Sequence, residues 1–425
     1  MEPVVARGPP TQAESCTGLQ GYGPRNQPTG SGLGVCVGTS WERGAQPPGG
    51  NGRFSGRPRG RLIGIGTALP GTRVSNRDIE RFLDTSDEWI RSRTGIRERR
   101  VAEPGTTLLE LAARAARAAL SAAGHGADRV DTVICSSSSP DATFPSLACR
   151  LQAELGCRPG AAFDVQAACS GALYGLALAV SMIQAGMSRE VLVVAAEIFT
   201  RVVDWSDRAT AVLFGDGAGA FLVGGAEGPG AEILLTSLGA DGNGAWALDT
   251  TAAPTTGASD RVGMPSYTAV PRALDRVITM NGREVFRFST KILEQVVSGL
   301  AAQAGTSTQE ISLIVPHQAN SRILATAAGR LGLPMERFAC NVERMGNTSS
   351  ASIPLALAEA ARDGRCGDGE LVCLVAFGAG LTWGGTLLRW RPTPVVIDDP
   401  AAASPAVAAR PVAAPNELRS AEGPD

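Results

Sequence analysis

Two stretches about 180 residues apart carry the same order of elements, and this repeat constrains the fold more than any other feature of the sequence. In the first, the β-branched run DTVICSSSS is followed by the helical SLACRLQAELG. AAFDVQAACSGALYGLALAVSMIQAG and the buried-strand run EVLVVAAE come next. In the second, ISLIVPHQAN reads as a strand and SRILATAAGRLG as a helix. NTSSASIPLALAEAA then reads as a helix opened by polar caps, and ELVCLVAFGAG as a buried strand. Alternating strands and helices predict an α/β fold, and the recurrence predicts two duplicated βαβαβ-type halves. A pseudo-twofold between the halves would bring their equivalent loops together, gathering Cys169, His317 and Asn347 into one pocket.

The halves sit between segments of different composition. Residues 1–59 are crowded with Gly, Pro, Ser and Arg, bury too little apolar surface to offset chain entropy, and read as a disordered extension; a plastid-type transit peptide or an upstream start would look similar. Residues 60–240 form the first half, 241–276 a linker or cap, 277–391 the second half and 392–425 a disordered Pro/Ala-rich tail.

Of the 425 residues, 44% are hydrophobic and 19% charged, enough for a proper core. A net charge of −2 gives no global attraction to nucleic acid or membrane, so any basic docking patch has to be local. Nine cysteines without a CxxC spacing do not read as a disulfide framework and point to a reducing cytoplasm. No apolar run approaches the ~20 residues of a membrane span. No His, Cys and carboxylate cluster has metal-ligand spacing.

Three residues invite a chemical reading. Cys169 stands where a strand ending near Val165 gives way to small residues and an apolar helical stripe. A helix N-terminus there would favour thiolate, whereas a buried cysteine taken alone is more often structural, as Cys135, Cys149, Cys157 and Cys373 are expected to be. His317 ends an apolar strand beside Gln318 and Asn320, which offer it hydrogen bonds; His125, in the turn GHGAD, is expected to be exposed and inert. Asn347 precedes a helix and by itself would be an ordinary cap. GDGAGA lacks a dinucleotide fingerprint spacing and reads as close backbone packing under the site.

The motifs AACSG, VPHQAN, GNTSSASIP, FGDGAGA and AFGAGLTWG, with DTSDEWIRSRTGIRERR near the start, together resemble the β-ketoacyl-acyl carrier protein synthase III family, of thiolase fold. The resemblance runs in order from Arg61 to Trp390. It implies a layered α-β-α-β-α arrangement in a homodimer, with acyl-CoA and malonyl-acyl carrier protein as substrates and no cofactor. By the same resemblance Cys169 carries the acyl group as a thioester, and His317 and Asn347 hold the malonyl thioester carbonyl through decarboxylation. The backbone N–H groups of Cys169 and Ala379 form the oxyanion hole for the acyl transfer.

Further positions follow from the family. Trp89, Arg93 and Arg208 match the residues that contact the adenine of CoA, while Arg283 replaces a frequent asparagine near the pantetheine. Phe144, Phe199 and Phe377 match the acyl pocket; Phe144 reaches into the neighbouring subunit, and its bulk points to a short primer. Arg287, Arg322 and Arg330 match the positions that face the acidic carrier protein. A non-decarboxylating acyltransferase of the same fold is the main alternative, and a catalytically silent partner subunit is the other; the presence of Cys169, His317 and Asn347 together argues for condensation. Thiolase and chalcone-type synthase fit less well, since FGAGLTWG has neither a second cysteine nor a proline.

Overall fold

The computed structural model describes residues 58–252 and 276–402. Its strands are β1 (Gly60–Ala68), β2 (Thr72–Ser75), β3 (Glu98–Val101), β4 (Thr132–Ser136), β5 (Ala161–Val165), β6 (Val191–Ile198) and β7 (Asp216–Gly224). They continue with β8 (Ala231–Ala240), β9 (Leu248–Ala252), β10 (Arg276–Met280), β11 (Ile311–Pro316), β12 (Leu371–Gly378), β13 (Thr382–Arg389) and β14 (Val395–Asp398).

The predicted repeat is visible in the pairing. In the order β1-β7-β6-β4-β5, β4 runs parallel to β5 and β6, and β7 antiparallel to β6 and β1. In the order β11-β12-β13-β8, β11 runs parallel to β12, and β13 antiparallel to β12 and β8. The series β4-β6-β7-β1 and β11-β12-β13-β8 therefore have the same directions. The two sheets join at one corner, where Gly60–Leu62 of β1 pairs with Ala231–Ile233 of β8. β8 thus belongs to the second sheet, although the sequence reading placed residues up to 240 in the first half.

Helices cover both sheets and fill the space between them. Leu108–Ala123 packs outside β1, β6 and β7; it starts at a Thr107–Glu110 capping box and stops at Gly124, which takes the left-handed conformation a side chain would resist. Gly171–Gln184 and Ser352–Arg362 lie between the sheets and touch strands of both. Their Leu173, Leu176, Ile353 and Leu357 meet Val193, Phe221 and Leu374 in one buried cluster, each leucine contributing roughly 1.5–3 kcal/mol. Gly282–Gln303 and Ser321–Leu331 cover the outer face of the second sheet. The result is the five-layer, thiolase-like arrangement.

The glycines of FGDGAGA pack as the sequence suggested. A Cβ on Gly219 would come within 2.5 Å of the Pro354 ring, so β7 and the central helix approach too closely for any side chain.

Two segments read differently from expectation. Within the tail assigned to 392–425, Val395–Asp398 forms β14, parallel to β1, and Asp398 and Asp399 each meet an arginine, Arg114 and Arg100, at 2.7 Å. The apolar triplet Val395, Val396, Ile397 supplies a strand that the surrounding Pro/Ala composition concealed. In the linker, residues 242–247 form a short 3-10 turn and β9 pairs with β10. The remainder of the linker, residues 1–57 and residues 403–425 lie outside the described residues.

Candidate active site

Cys169, His317 and Asn347 line one cavity of about 630 Å³. Each comes from a loop at a strand or helix end. Cys169 sits in the 3-10 turn Ala168–Ser170, between β5 and the central helix, and is 5% exposed. His317 follows β11, with its N–H on Val375 O at 2.8 Å. Asn347 is fastened through its backbone to the start of β7: its N–H donates to Leu213 O at 2.8 Å and its carbonyl accepts from Gly215 N–H at 3.0 Å. The loops of the two halves therefore converge as the repeat implied.

The nucleophile's protonation differs from the expected one. Burial pushes the Cys169 thiol up to about 12, the Glu197 carboxylate nearby adds to the rise, and the Ser349 hydroxyl and the cysteine's own N–H oppose it. The helix proper begins at Gly171, two residues on, and with desolvation the largest influence the resting group is a neutral thiol. Burial also lowers His317 to about 3, which leaves a neutral imidazole. The site is therefore a thiol beside an imidazole, not an ion pair.

His317 is oriented by Ser352, whose Oγ lies 2.7 Å from Nδ1, and by the Phe377 ring, edge-on at 5.2 Å between centroids. Gln318 and Asn320 do not serve it. Gln318 ties Pro316 O and Ala339 O to the Asn341 and Val342 N–H groups, while Asn320 caps the next helix and donates to Arg93 O. Asn347 Oδ1 accepts the Ser349 N–H at 2.9 Å, and among the described residues its amide N–H groups have no hydrogen-bond partner. A Cβ on Gly378 would come within 2.7 Å of the Cys169 nitrogen, so the strand before Ala379 must lack a side chain there.

The cavity runs outward from the buried thiol to an exposed rim. Trp89 and Arg93 line it, and the Arg208 guanidinium lies 4.8 Å from the Trp89 ring centroid, so the three proposed adenine contacts come together. Phe199, Phe377 and Ala379 also line the cavity. Phe214 does too, stacked on Phe199 at 5.0 Å; in sequence it is simply the aromatic before GDG. Phe144 is not among the lining residues and stands 84% exposed.

The three arginines expected to face a carrier lie on two packed helices. Arg287 pairs with Glu284 and Arg330 with Glu294, while Arg322 has its guanidinium 5.8 Å from the centre of the Phe286 ring. Both Arg322 and Arg330 thus reach from the second helix to the first. His125, expected to be exposed, is half-buried and meets Glu190 at 3.1 Å. Of the cysteines expected to be structural, Cys135 and Cys373 are buried, Cys157 is half-buried and Cys149 is exposed.

Sequence reasoning missed Glu197, Ser349 and Ser352 around the nucleophile and the imidazole. The one available signal was Glu197 itself, an acid ending the apolar run EVLVVAAE.

Two family models match this chain: 3-oxoacyl-[acyl-carrier-protein] synthase III over residues 163–242 and its C-terminal counterpart over 301–390. The beta-ketoacyl-[acyl-carrier-protein] synthase III of Alkalilimnicola ehrlichii is 47% identical over 331 residues, covering 78% of this chain and 99% of that protein. The crystal structure of 3-oxoacyl-[acyl-carrier-protein] synthase III from Aquifex aeolicus matches with a TM-score of 0.70 at 41% identity, over 78% of this chain and 100% of the other. The priming beta-ketosynthase of the R1128 polyketide biosynthetic pathway matches at 0.68 and 36% identity, over 79% and 98%. With a thiol, an imidazole held by Ser352 and an amide lining one cavity, inside a fold shared over nearly the whole of these relatives, the chain belongs to the β-ketoacyl-[acyl-carrier-protein] synthase III family of condensing acyltransferases.

Proposed function

We propose that the chain joins a short acyl-CoA primer to malonyl-acyl carrier protein, with loss of CO₂, to start a fatty acid or polyketide chain. The observation that carries this reading is the convergence of Cys169, His317 and Asn347 on one cavity that Trp89 and Arg93 also line, with Arg208 over Trp89. CoA would enter between Trp89, Arg93 and Arg208 and present its thioester to the Cys169 sulfur, with the Cys169 and Ala379 N–H groups facing the developing oxyanion. After CoA leaves, the carrier delivers malonyl along the same cavity. His317 and Asn347 donate to its thioester carbonyl, stabilising the enolate left by decarboxylation, and the carbanion attacks the acyl-cysteine. Two neutral donors suit this step, because an enolate oxygen gains charge that a pre-aimed N–H can meet without reorganisation.

The aromatic end of the cavity, with Phe199 stacked on Phe214, favours a short primer. Phe144, exposed on this chain, is read as reaching the acyl pocket of a second copy in a homodimer. Arg322, with no acidic partner among the described residues, and its neighbours Arg287 and Arg330 form the reading's docking face for an acidic carrier. The setting proposed is the cytoplasm, with soluble CoA and carrier substrates.

Intact-protein mass after exposure to acetyl-, isobutyryl- and longer acyl-CoAs, followed by malonyl-carrier, tests the reading. A single acyl gain that Cys169→Ser abolishes, cleared by malonyl-carrier with release of CO₂, is the expected result. An adduct that persists with malonyl-carrier but clears with another acceptor supports the non-decarboxylating transferase instead.

A further inference from the structure

Glu197, in β6, is fully buried and near enough to Cys169 for its charge to oppose ionisation of the thiol. The reaction as described gives it no task. A carboxylate away from water is costly unless donors surround it, and the fold provides four. Ser139 Oγ and Ser350 Oγ each lie at 2.7 Å, the Ser138 N–H at 3.0 Å and Ser137 Oγ at 3.2 Å. Ser139 Oγ already accepts the Ile198 N–H and Ser137 Oγ the Ser139 N–H, so their hydroxyl protons point to the carboxylate. A cage of this kind fits the anion.

The cage joins the two halves, since Ser137–Ser139 follow β4 while Ser350 belongs to the Asn347 loop. Next to Ser350, Ser349 is fully buried and held at φ +48°, a conformation rarely adopted without reason by a residue other than glycine. Its turn, Ser349–Ala351, packs against both the Ala168–Ser170 turn that carries Cys169 and the strand that carries Glu197, and its hydroxyl has no hydrogen-bond partner among the described residues. The other non-glycine residue at positive φ among the described residues is Ala168, directly before Cys169. Burial raises Glu197 above the ordinary carboxylate range, which narrows its distance in basicity from the thiol.

We propose that Glu197, acting through the Ser349 hydroxyl, stores the Cys169 thiol proton between the two half-reactions. The inference rests on the acyl-cysteine reading above. As the Cys169 sulfur bonds to the acyl carbon its S–H bond breaks, Ser349 takes that proton, and the serine's own proton passes to the Glu197 carboxylate. The CoA thiolate leaves and takes a proton from solvent, so the acyl-enzyme carries a protonated Glu197. When the carbanion attacks the acyl carbonyl, the departing sulfur recovers its proton by the reverse path. The whole cycle consumes one solvent proton, as conversion of a malonyl carboxylate to CO₂ requires.

The test separates the two half-reactions. In weakly buffered indicator solution the wild type is expected to take up one proton per acyl-enzyme formed. Glu197→Gln keeps the shape but cannot accept the proton; it should acylate about 10²-fold more slowly, and Glu197→Asp should restore part of the rate. Decarboxylation of malonyl-carrier, followed in a Cys169→Ala background, should be unchanged by Glu197→Gln, because His317 and Asn347 carry that step. Ser349→Ala should show the same split and carries the test should Glu197→Gln not fold. Iodoacetamide alkylation of Cys169 needs the same proton loss and no CoA. Its slowing in Glu197→Gln therefore supports the relay even if no acyl-CoA acylates the wild type, an outcome that would overturn only the donor reading. Wild-type acylation and alkylation in both variants overturn the proposal. So does a parallel fall of acylation and decarboxylation in both, which marks the cage as merely structural.

Discussion

Ser352 Oγ lies 2.7 Å from Nδ1 of His317, and both groups are buried. If the hydroxyl donates, Nδ1 is the acceptor and Nε2 keeps the proton that the enolate oxygen needs. Ser352→Ala releases that tautomer. We expect decarboxylation of malonyl-carrier to slow by roughly tenfold, below the 10²–10³ of losing a donor outright, with acylation of Cys169 unaffected. Single-turnover measurements of each half-reaction check this.

The neutral imidazole has a pH signature. Its folded value near 3 lies below the unfolded 6.5, so between these limits the unfolded chain binds the extra proton. The stability tied to His317 is present above about pH 6.5 and is lost as pH falls toward 3. NMR of ¹⁵N-histidine should show the His317 signal, assigned by its loss in His317→Gln, static from pH 8 to pH 5. A titration near 6.5 would remove the neutral-imidazole assignment.

For Cys169 the sign is opposite. The folded thiol holds its proton to about 12 where an unfolded one releases it near 9, so this contribution to stability fades as pH rises through that range. In Glu197→Gln, where the relay cannot take the proton, alkylation by iodoacetamide should keep accelerating to at least pH 10 without a plateau. A plateau near pH 7 would restore the helix-dipole thiolate.

Arg208 lies over Trp89, which lines the cavity. A stack of this kind contributes about 1 kcal/mol, so Trp89→Ala should raise the acyl-CoA concentration for half-maximal acylation roughly fivefold. The rate at saturation should hold.

Gly378 touches the backbone that carries the nucleophile. Gly378→Ala must displace the Cys169 nitrogen, the proposed oxyanion donor, and we expect acylation to fall by about 10²-fold or more. Decarboxylation by His317 and Asn347 should be less affected.

The nucleophile, the imidazole and the amide were legible because each lies in a short local motif whose order along the chain is distinctive. Glu197 and Ser352 were not, because their roles depend on partners 153 and 35 residues away, Ser350 and His317. β8 and β14 were misplaced for a related reason. Whether an apolar stretch near a boundary joins one sheet, the other or none depends on which edge is open, and the open edges were those of β13 and β1.

By itself, then, the sequence determined the alternation of elements and their repetition, which follow from local pattern and side-chain type, and through its family resemblance it offered candidates for the chemistry. Only the tertiary structure decided their charge states, the tautomer-fixing contact and the outward stance of Phe144. Desolvation and hydrogen bonding belong to the assembled surroundings, and the same cysteine that a helix start would ionise stays protonated once the two halves close around it.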